Sequence, residues 1–456
     1  MSPQGKTSGH DVVILGGGPA GAAAALSLRR HAPALSVALV EQSGYDRPRV
    51  GETLPPTARA LLEQLEVWET FAGQGHVPAY GTCAAWGSDE LFDNEFIYHP
   101  AGRGWHLDRR RFDRMLSREA EHRGVTTYSG HKFINSRRGE GGGWLLQIKS
   151  GQGSEAFVKA AFVIDATGRR ALFAGQRGVR KVLHDRLLGL SVTFGPRAAE
   201  PFADTYTLVE AREEGWWYSA LLPEGKVVVF CMSDADLVKR HGRNSADEWL
   251  GLLAQTRHTK ERVRGATPLG APAVHAAHTH RLERTTGDGW LAVGDAATTF
   301  DPLSSQGILK SLRSGVLASY AVADYFKGSS LGLEKYEALA SREFEDYLSA
   351  RADFYGRERR WPDSPFWQRR RGQIKLDPAE LLRTSKKAAD EAAFERLPMH
   401  LPAQDLQLLC RLCAAPRRAQ DVVSDFKARS GFRLDRRIIL ALQYLVEEGV
   451  IRPASV

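Results

Sequence analysis

Gly16-Gly17-Gly18-Pro19-Ala20-Gly21 is the stretch on which the fold turns. It follows the apolar run Val12-Val13-Ile14-Leu15 and opens an alanine-rich segment, Gly21 to Leu28, that reads as helix. A second apolar run, Val37-Ala38-Leu39-Val40, ends at Glu41, twenty residues after Gly21. Strand, glycine turn, helix, strand, acid is the order that a dinucleotide site requires. In that reading Gly16 makes the tight turn, Gly18 lets the main chain approach a pyrophosphate, and Gly21 lets helix pack closely on strand. The helix N-terminus at Pro19 and Ala20 offers partial positive charge to the phosphates. Glu41, with Gln42 beside it, is expected to accept hydrogen bonds from the adenosine ribose.

Outward from this unit, 456 residues leave room for two or three domains with a sizeable core. A composition of 43% hydrophobic and 25% charged residues is that of an ordinary globular protein. Four cysteines in so long a chain suggest no disulfide framework. The opening MSPQGKTSGH lacks the apolar core of a secretory signal, and no apolar run approaches the roughly 18–20 residues needed to span a bilayer. A cytoplasmic protein with no membrane contact is expected. The net charge of +8 identifies no partner by itself, and no recognised nucleic-acid motif accompanies it.

After Glu41 the glycine- and proline-broken Arg47–Pro56 reads as a loop carrying Arg49 and Glu52, and Ala58–Phe71 as a helix. Ala84-Ala85-Trp86 and Phe96-Ile97-Tyr98 are strand candidates. The segment 106–124 is an amphipathic helix with Phe112, Leu116 and Ala120 on one face. WLLQI and AFVIDATG, between 144 and 168, are two strands, the second delivering the turn Ala166-Thr167-Gly168. From about 187 to 233, LLGLSVTF, TYTLV, WWYSALL and KVVVFCM alternate as an antiparallel sheet does. The glycine-turn pattern then returns: Trp290–Val293, Gly294-Asp295, a loop through Pro302, Ser305, Gln306 and Gly307, and a small-residue helix from Ile308 to Phe326. Helix and an arginine- and tryptophan-rich segment follow over 334–371, and 375–400 is polar and helix-prone with no clear core face. The tail reads as three helices and a closing wing at Gly449-Val450-Ile451, the outline of a winged-helix module.

GGGPAG with Glu41, the DATG turn and GDAATTFDPLSSQG together resemble the FAD-dependent monooxygenase and halogenase superfamily, with a fold like that of the aromatic hydroxylases, over about residues 10–375. The resemblance implies an α/β architecture. A Rossmann-like FAD-binding domain (8–80, 106–185 and 281–372) is interleaved with an antiparallel-sheet substrate domain (81–105 and 186–280). A connector (373–402) and a helical, winged-helix-like C-terminal domain (403–456) complete it. It implies FAD held at Gly16, Gly18, Pro19, Ala20, Gly21, Glu41, Gln42, Arg49, Glu52, Ala166, Thr167 and Gly168. Asp295, after Gly294, meets the ribitol, Pro302, Ser305, Gln306, Gly307 and Ile308 meet the flavin ring, and Arg109 of LDRRRFDRML lies near the cofactor.

Two departures bear on activity. Flavin halogenases carry the activated halogen on a lysine soon after their GE-containing loop, whereas no lysine stands between Lys6 and Lys132. Their tryptophan-x-tryptophan-x-isoleucine-proline signature is also missing; Gly215-Trp216-Trp217-Tyr218-Ser219-Ala220-Leu221-Leu222-Pro223 is the nearest stretch. Both argue against halogenation. The look is more similar to flavoproteins that oxygenate tryptophan during maturation of peptidyl quinone cofactors. That resemblance implies a monooxygenase hydroxylating an electron-rich ring through a flavin C4a-hydroperoxide, on a tryptophan of an amine dehydrogenase or oxidase subunit. O2 and a separate flavin reductase or NAD(P)H would be its co-reactants. Glu52 is the first candidate for a base, and Trp216 and Tyr218 are candidates to line the substrate pocket, with sheet core as the competing role. His275, His278 and His280 lack the carboxylate or cysteine partners of a metal site, so no metal is expected. Cys410 and Cys413 are expected to be buried thiols. The alternatives are oxidation of a small or carrier-bound aromatic molecule, and a non-catalytic flavoprotein that binds DNA through its tail.

Overall fold

The computed structural model describes residues 7–139, 142–196, 202, 204–240, 245–371, 376–385, 401–431, 435–447 and 449–454. Strand Thr7–Leu15 is central to a parallel sheet. It pairs with Val37–Glu41 on one side and Glu155–Asp165 on the other. Thr126–Ser129 and Trp290–Ala292 extend the sheet outward, also in parallel. Helix Pro19–His31 buries Ala22 to Ala25 completely. Helix Gly307–Phe326 crosses it at close range, because a Cβ at Gly315 would collide with the Ala20 carbonyl. Small residues here are a packing requirement, since two backbones meet where larger side chains would hold them apart.

A second, seven-stranded sheet runs in the order Ala273–Ala276, Leu187–Phe194, Lys226–Asp234, Gly215–Leu222, Thr207–Arg212, Gly81–Ala85, Phe92–Glu95. Its pairings are antiparallel except between Thr207–Arg212 and Gly81–Ala85. Period-2 alternation sorts its core. Trp216, Tyr218 and Ala220 share one face, where Trp216 meets Tyr355 in a cluster that includes Trp367, while Trp217 and Leu221 pack with Trp249 on the other. The interleaved α/β architecture with a helical C-terminal region is the one expected.

Three local expectations fail. The helix expected over 58–71 is two, Ala58–Gln64 and Trp68–Ala72, with Glu66 between them at φ 57°. Leu65 and Val67 are both buried, and residues two apart point to nearly opposite sides of a helix, so the chain breaks to bury both. Phe96–Tyr98 is a 3-10 turn rather than a strand, with Ile97 77% and Tyr98 87% exposed; the strand is Phe92–Glu95. Within the stretch expected to connect the domains, Leu381–Thr384 is a strand that pairs with Arg417–Arg418 and Ile451–Pro453. Leu382 seals the core of the helices Ala403–Leu412, Ala419–Ser430 and Asp435–Glu447, so that small sheet draws on chain from before 403. Residues 373–375 and 386–400 of the expected connector lie outside the described residues. Cys410 and Cys413 are free thiols in that core. Among the described residues no helix is long and apolar enough to cross a membrane.

Candidate functional site

A cleft of about 450 Å³ opens where the carboxyl ends of the parallel strands face the antiparallel sheet. Leu15, Val40, Ala166 and Val293 line it from the strand ends, and Gly189, Tyr218, Phe230, Met232 and His275 from the sheet. Ligands of open α/β sheets bind at the carboxyl ends of the strands.

The glycines divide by what each contributes. Gly16, at φ 113°, lines the cleft, and a Cβ there would strike the Ala166 carbonyl. Gly21 does not reach the cleft; its missing side chain lets the helix sit on the Gly16 carbonyl. Gly18 has an ordinary φ of −75°, and a Cβ on it would meet nothing within 4 Å. The protein itself therefore does not demand glycine at 18. The space beyond Gly18 belongs to the cleft, and no side chain caps the helix that starts there. A second uncapped helix N-terminus, at Gly307 and Ile308, faces the same cleft. Two uncapped N-termini facing one cleft suit an elongated anionic ligand.

The carboxylates are tightly held. Glu41 accepts from Gly17 N at 2.8 Å through Oε2, and from Ser43 N and Arg49 Nη2, both at 2.9 Å, through Oε1. A free lone pair on Oε2 remains for a ligand hydroxyl. Arg49 also donates to Asp113 at 2.8 Å, and Arg109 binds the same carboxylate at 3.0 Å while donating to the Val50 and Gly51 carbonyls. Asp113, fully buried, thus fixes two cleft arginines. Sequence reasoning missed it, although an acid four residues after Arg109 and beside Phe112 on the buried face was the available signal. Asp165 shapes the next turn by accepting from Thr167 N at 3.0 Å and Ala174 N at 2.9 Å. Burial works to raise the Asp295 carboxyl, but the Lys310 ammonium, 2.9 Å away, and the Arg169 guanidinium outweigh it and hold the pKa at about 2. Lys310 is itself buried beneath Asp295 and does not line the cleft.

In the loop before the strand Thr53–Leu54, burial raises the Glu52 pKa to about 7, with its own and the Gly51 main-chain N–H groups and the Arg109 charge pulling the other way. Next to it the Tyr218 hydroxyl lies 2.7 Å from Thr53 Oγ1. The chain of contacts continues to Thr207 Oγ1 at 3.3 Å and His106 Nε2 at 2.9 Å from Thr207. Burial lowers His106 to about 3, so it stays neutral. His275 faces the cleft with Nε2 2.8 Å from Ser191 Oγ, and burial lowers its pKa too. His280 is a buried core histidine lowered to about 2 by burial, and among the described residues no cluster of three ligating groups exists.

Of the residues expected at the site, Gly16, Gly18, Pro19, Ala20, Glu41, Gln42, Arg49, Glu52, Arg109, Ala166, Thr167, Gly168, Asp295, Pro302, Ser305, Gly307, Ile308 and Tyr218 line this one cleft. Gln306 does not and is exposed; Gly294 stands behind the lining, packed on Ala20. Trp216 is a correction. It is fully buried away from the cleft and donates from Nε1 to the Tyr355 hydroxyl at 3.0 Å. Tyr355 in turn donates to Asp301 at 2.8 Å, which caps Leu303 N at 3.0 Å. Trp216 is therefore a prop for the 301–307 loop. Trp216→Phe, which takes the donor from the Tyr355 hydroxyl, should cost about 1–2 kcal/mol of stability in urea denaturation.

The tryptophan halogenase family profile matches residues 11–87 and 88–420. LodB of Marinomonas mediterranea, named as an FAD-dependent oxidoreductase, is 31% identical over 363 residues, 79% of this chain and 96% of its own. Further curated relatives, at 22–26% identity, carry halogenase, brominase or chlorinase names. In fold, the chain is similar to the myxobacterial chondrochloren halogenase CndH, with a TM-score of 0.73, 22% identity and coverage of 96% of this chain and 97% of that one. It is also similar to QhpG, described as a peptidyl tryptophan dihydroxylase essential for tryptophylquinone cofactor biogenesis, with a TM-score of 0.66, 23% identity and coverage of 83% of each chain.

Proposed function

Because the chain belongs to the tryptophan halogenase family and its cofactor is FAD, we propose that it is a monooxygenase acting on a tryptophan side chain of a partner polypeptide during quinone cofactor biogenesis. One observation carries the reading. The cleft wall beside Tyr218 presents no lysine amine to carry a halogen, and holds instead a buried carboxyl near neutrality, Glu52, from the loop before Thr53–Leu54. The only lysine among the lining residues is Lys132, on the strand His131–Arg138 of the parallel-sheet domain. The name of the structural neighbour QhpG agrees with this substrate class.

In this reading Gly16, Gly18, Pro19, Ala20, Glu41 and Gln42 hold the ADP half of FAD, with Ala166, Thr167, Gly168, Arg49 and Arg109 around it. Asp295 would meet the ribitol, and Pro302, Ser305, Gly307 and Ile308 would line the place of the flavin ring. Reduced FAD and O2 supply an electrophilic oxygen. Phe230, Met232 and Tyr218 exclude water from the ring that receives it. The Tyr218 hydroxyl, oriented by Thr53, positions the indole, and neutral His275 offers a hydrogen bond across the cleft. Glu52 takes the proton that the attacked ring carbon must lose to regain aromaticity. Electrons come from a separate flavin reductase or NAD(P)H, and the partner is an amine dehydrogenase or oxidase subunit.

The test is mass spectrometry of tryptophan-containing polypeptides after incubation with the holoenzyme, reductant, air and a mixture of chloride and bromide. One or two oxygen atoms on tryptophan are expected. Halogen on the ring would restore the activity that most of the relatives' names describe, and oxygen added only to free or carrier-bound aromatics would move the substrate to that class.

A further inference from the structure

The antiparallel sheet ends at strand Ala273–Ala276, and this edge sits at the mouth of the cleft, because His275, Ala276 and Ala277 all line it. Among the described residues no strand pairs with its outer side. Ala277 N donates to the Leu187 carbonyl at 3.0 Å, so in antiparallel alternation residues 273, 275 and 277 bond inward while Val274 and Ala276 turn their N–H and C=O groups outward. Exposed edges in natural sheets are guarded by charged side chains, by proline, by bulges or by being short. Here no Asp, Glu, Lys or Arg occurs from Gly265 to His280, in a chain that is 25% charged. The same stretch exposes Leu269 and Val274 by 55% and 56%. An uncharged edge running into the reaction cleft, with Pro272 only at its entrance, is the geometry of strand addition, in which main-chain hydrogen bonds supply affinity.

We propose that the polypeptide substrate docks as an extended, uncharged strand added to the outer edge of Ala273–Ala276; this rests on the polypeptide-substrate reading above. A residue of the added strand directly opposite His275 has its side chain on the His275 face of the sheet. That is the face on which Phe230 and Tyr218 stand, and where Gly189, paired with His275, contributes no side chain. A tryptophan at that position therefore enters the cleft while its neighbours on the opposite face meet Val274. Docking of a second copy of this chain edge to edge, or of a nucleic acid, would not place an indole there.

The test uses the FAD-loaded full chain and a synthetic, fluorescently labelled tryptophan peptide with valine and threonine flanks, alongside a twin N-methylated at alternate residues to block main-chain pairing. Anisotropy should show the unmethylated peptide binding about tenfold more tightly than its twin. Val274→Pro removes an outward N–H without touching the inward ladder, and Val274→Lys adds a guarding charge. Each should weaken the unmethylated peptide by about tenfold and leave the twin and the flavin spectrum unchanged. Equal binding of the two peptides, no binding of either, or indifference to both variants would overturn the docking mode. The two proposals separate in the same samples. Oxygen on tryptophan with no dependence on residue 274 keeps the oxygenase and discards the edge. Edge-dependent binding with no oxygen transfer does the reverse.

Discussion

Glu52→Gln is expected to abolish most turnover and, at the same time, to make the apoprotein more stable at pH 8. The first effect is the loss of the proton acceptor, about a hundredfold or more in kcat for a general base, with FAD content unchanged because glutamine keeps the size of the side chain. In the wild type kcat should climb with pH through about 7 as Glu52 ionises, and this limb should vanish in the variant. The second effect follows from linkage. The carboxyl titrates near 4.5 in the unfolded chain and at about 7 in the fold, so the fold holds its proton more tightly. That contribution to stability is complete below about pH 4.5 and is lost as pH rises through 7. A gap of about 2.5 pH units at roughly 1.4 kcal/mol each is worth about 3 kcal/mol. Urea denaturation should therefore find Glu52→Gln more stable by about 2–3 kcal/mol at pH 8 and indistinguishable at pH 4. A stability difference independent of pH would show that Glu52 is not an ordinarily neutral, buried acid. An unchanged rate would remove it from the chemistry.

Replacing Gly18 by alanine should separate ligand binding from folding. At φ −75° alanine is unstrained, and its Cβ would meet no protein atom within 4 Å. The apoprotein should be as stable as wild type or better by up to about 1 kcal/mol, since alanine restricts the unfolded chain. FAD affinity should nevertheless fall about a hundredfold, close to 3 kcal/mol, because the pyrophosphate needs the main-chain approach that the methyl group obstructs. Gly16→Ala, by contrast, must fail as a fold: its φ is 113° and its Cβ would overlap the Ala166 carbonyl. Equilibrium dialysis of FAD together with thermal melts of both apoproteins checks the pair. Undiminished FAD binding by Gly18→Ala would mean that the pyrophosphate does not pass over this turn.

The nucleotide unit was legible in the primary structure because every part of it is local. Thr7–Leu15, the glycine turn, Pro19–His31 and Val37–Glu41 follow one another within 35 residues, and each announces itself by period, by small residues or by the acid at its end. The same locality made the turns after Asp165 and Val293 readable. What alternation along Gly215–Leu222 told was that Trp216 and Tyr218 share a face; it carried no information on which of them that face would leave uncovered. Tyr355, about 140 positions downstream, covers Trp216, and Tyr218 is left to the cleft. Burial of Glu52, which moves a surface-type carboxyl to about 7, is likewise imposed by the strand pairing of Thr53-Leu54 with Trp105-His106 and by the sheet beyond.

Sequence alone thus determined the cofactor class, the strand–turn–helix units that receive it and the missing lysine. Tertiary structure decided which aromatic faces the cleft, that Asp113 ties Arg49 to Arg109, and that an uncharged strand edge ends at the cleft. The division has one cause. Periodicity records how each residue stands toward the core, whereas protonation state, partner and access depend on what other segments bring to the same few ångströms.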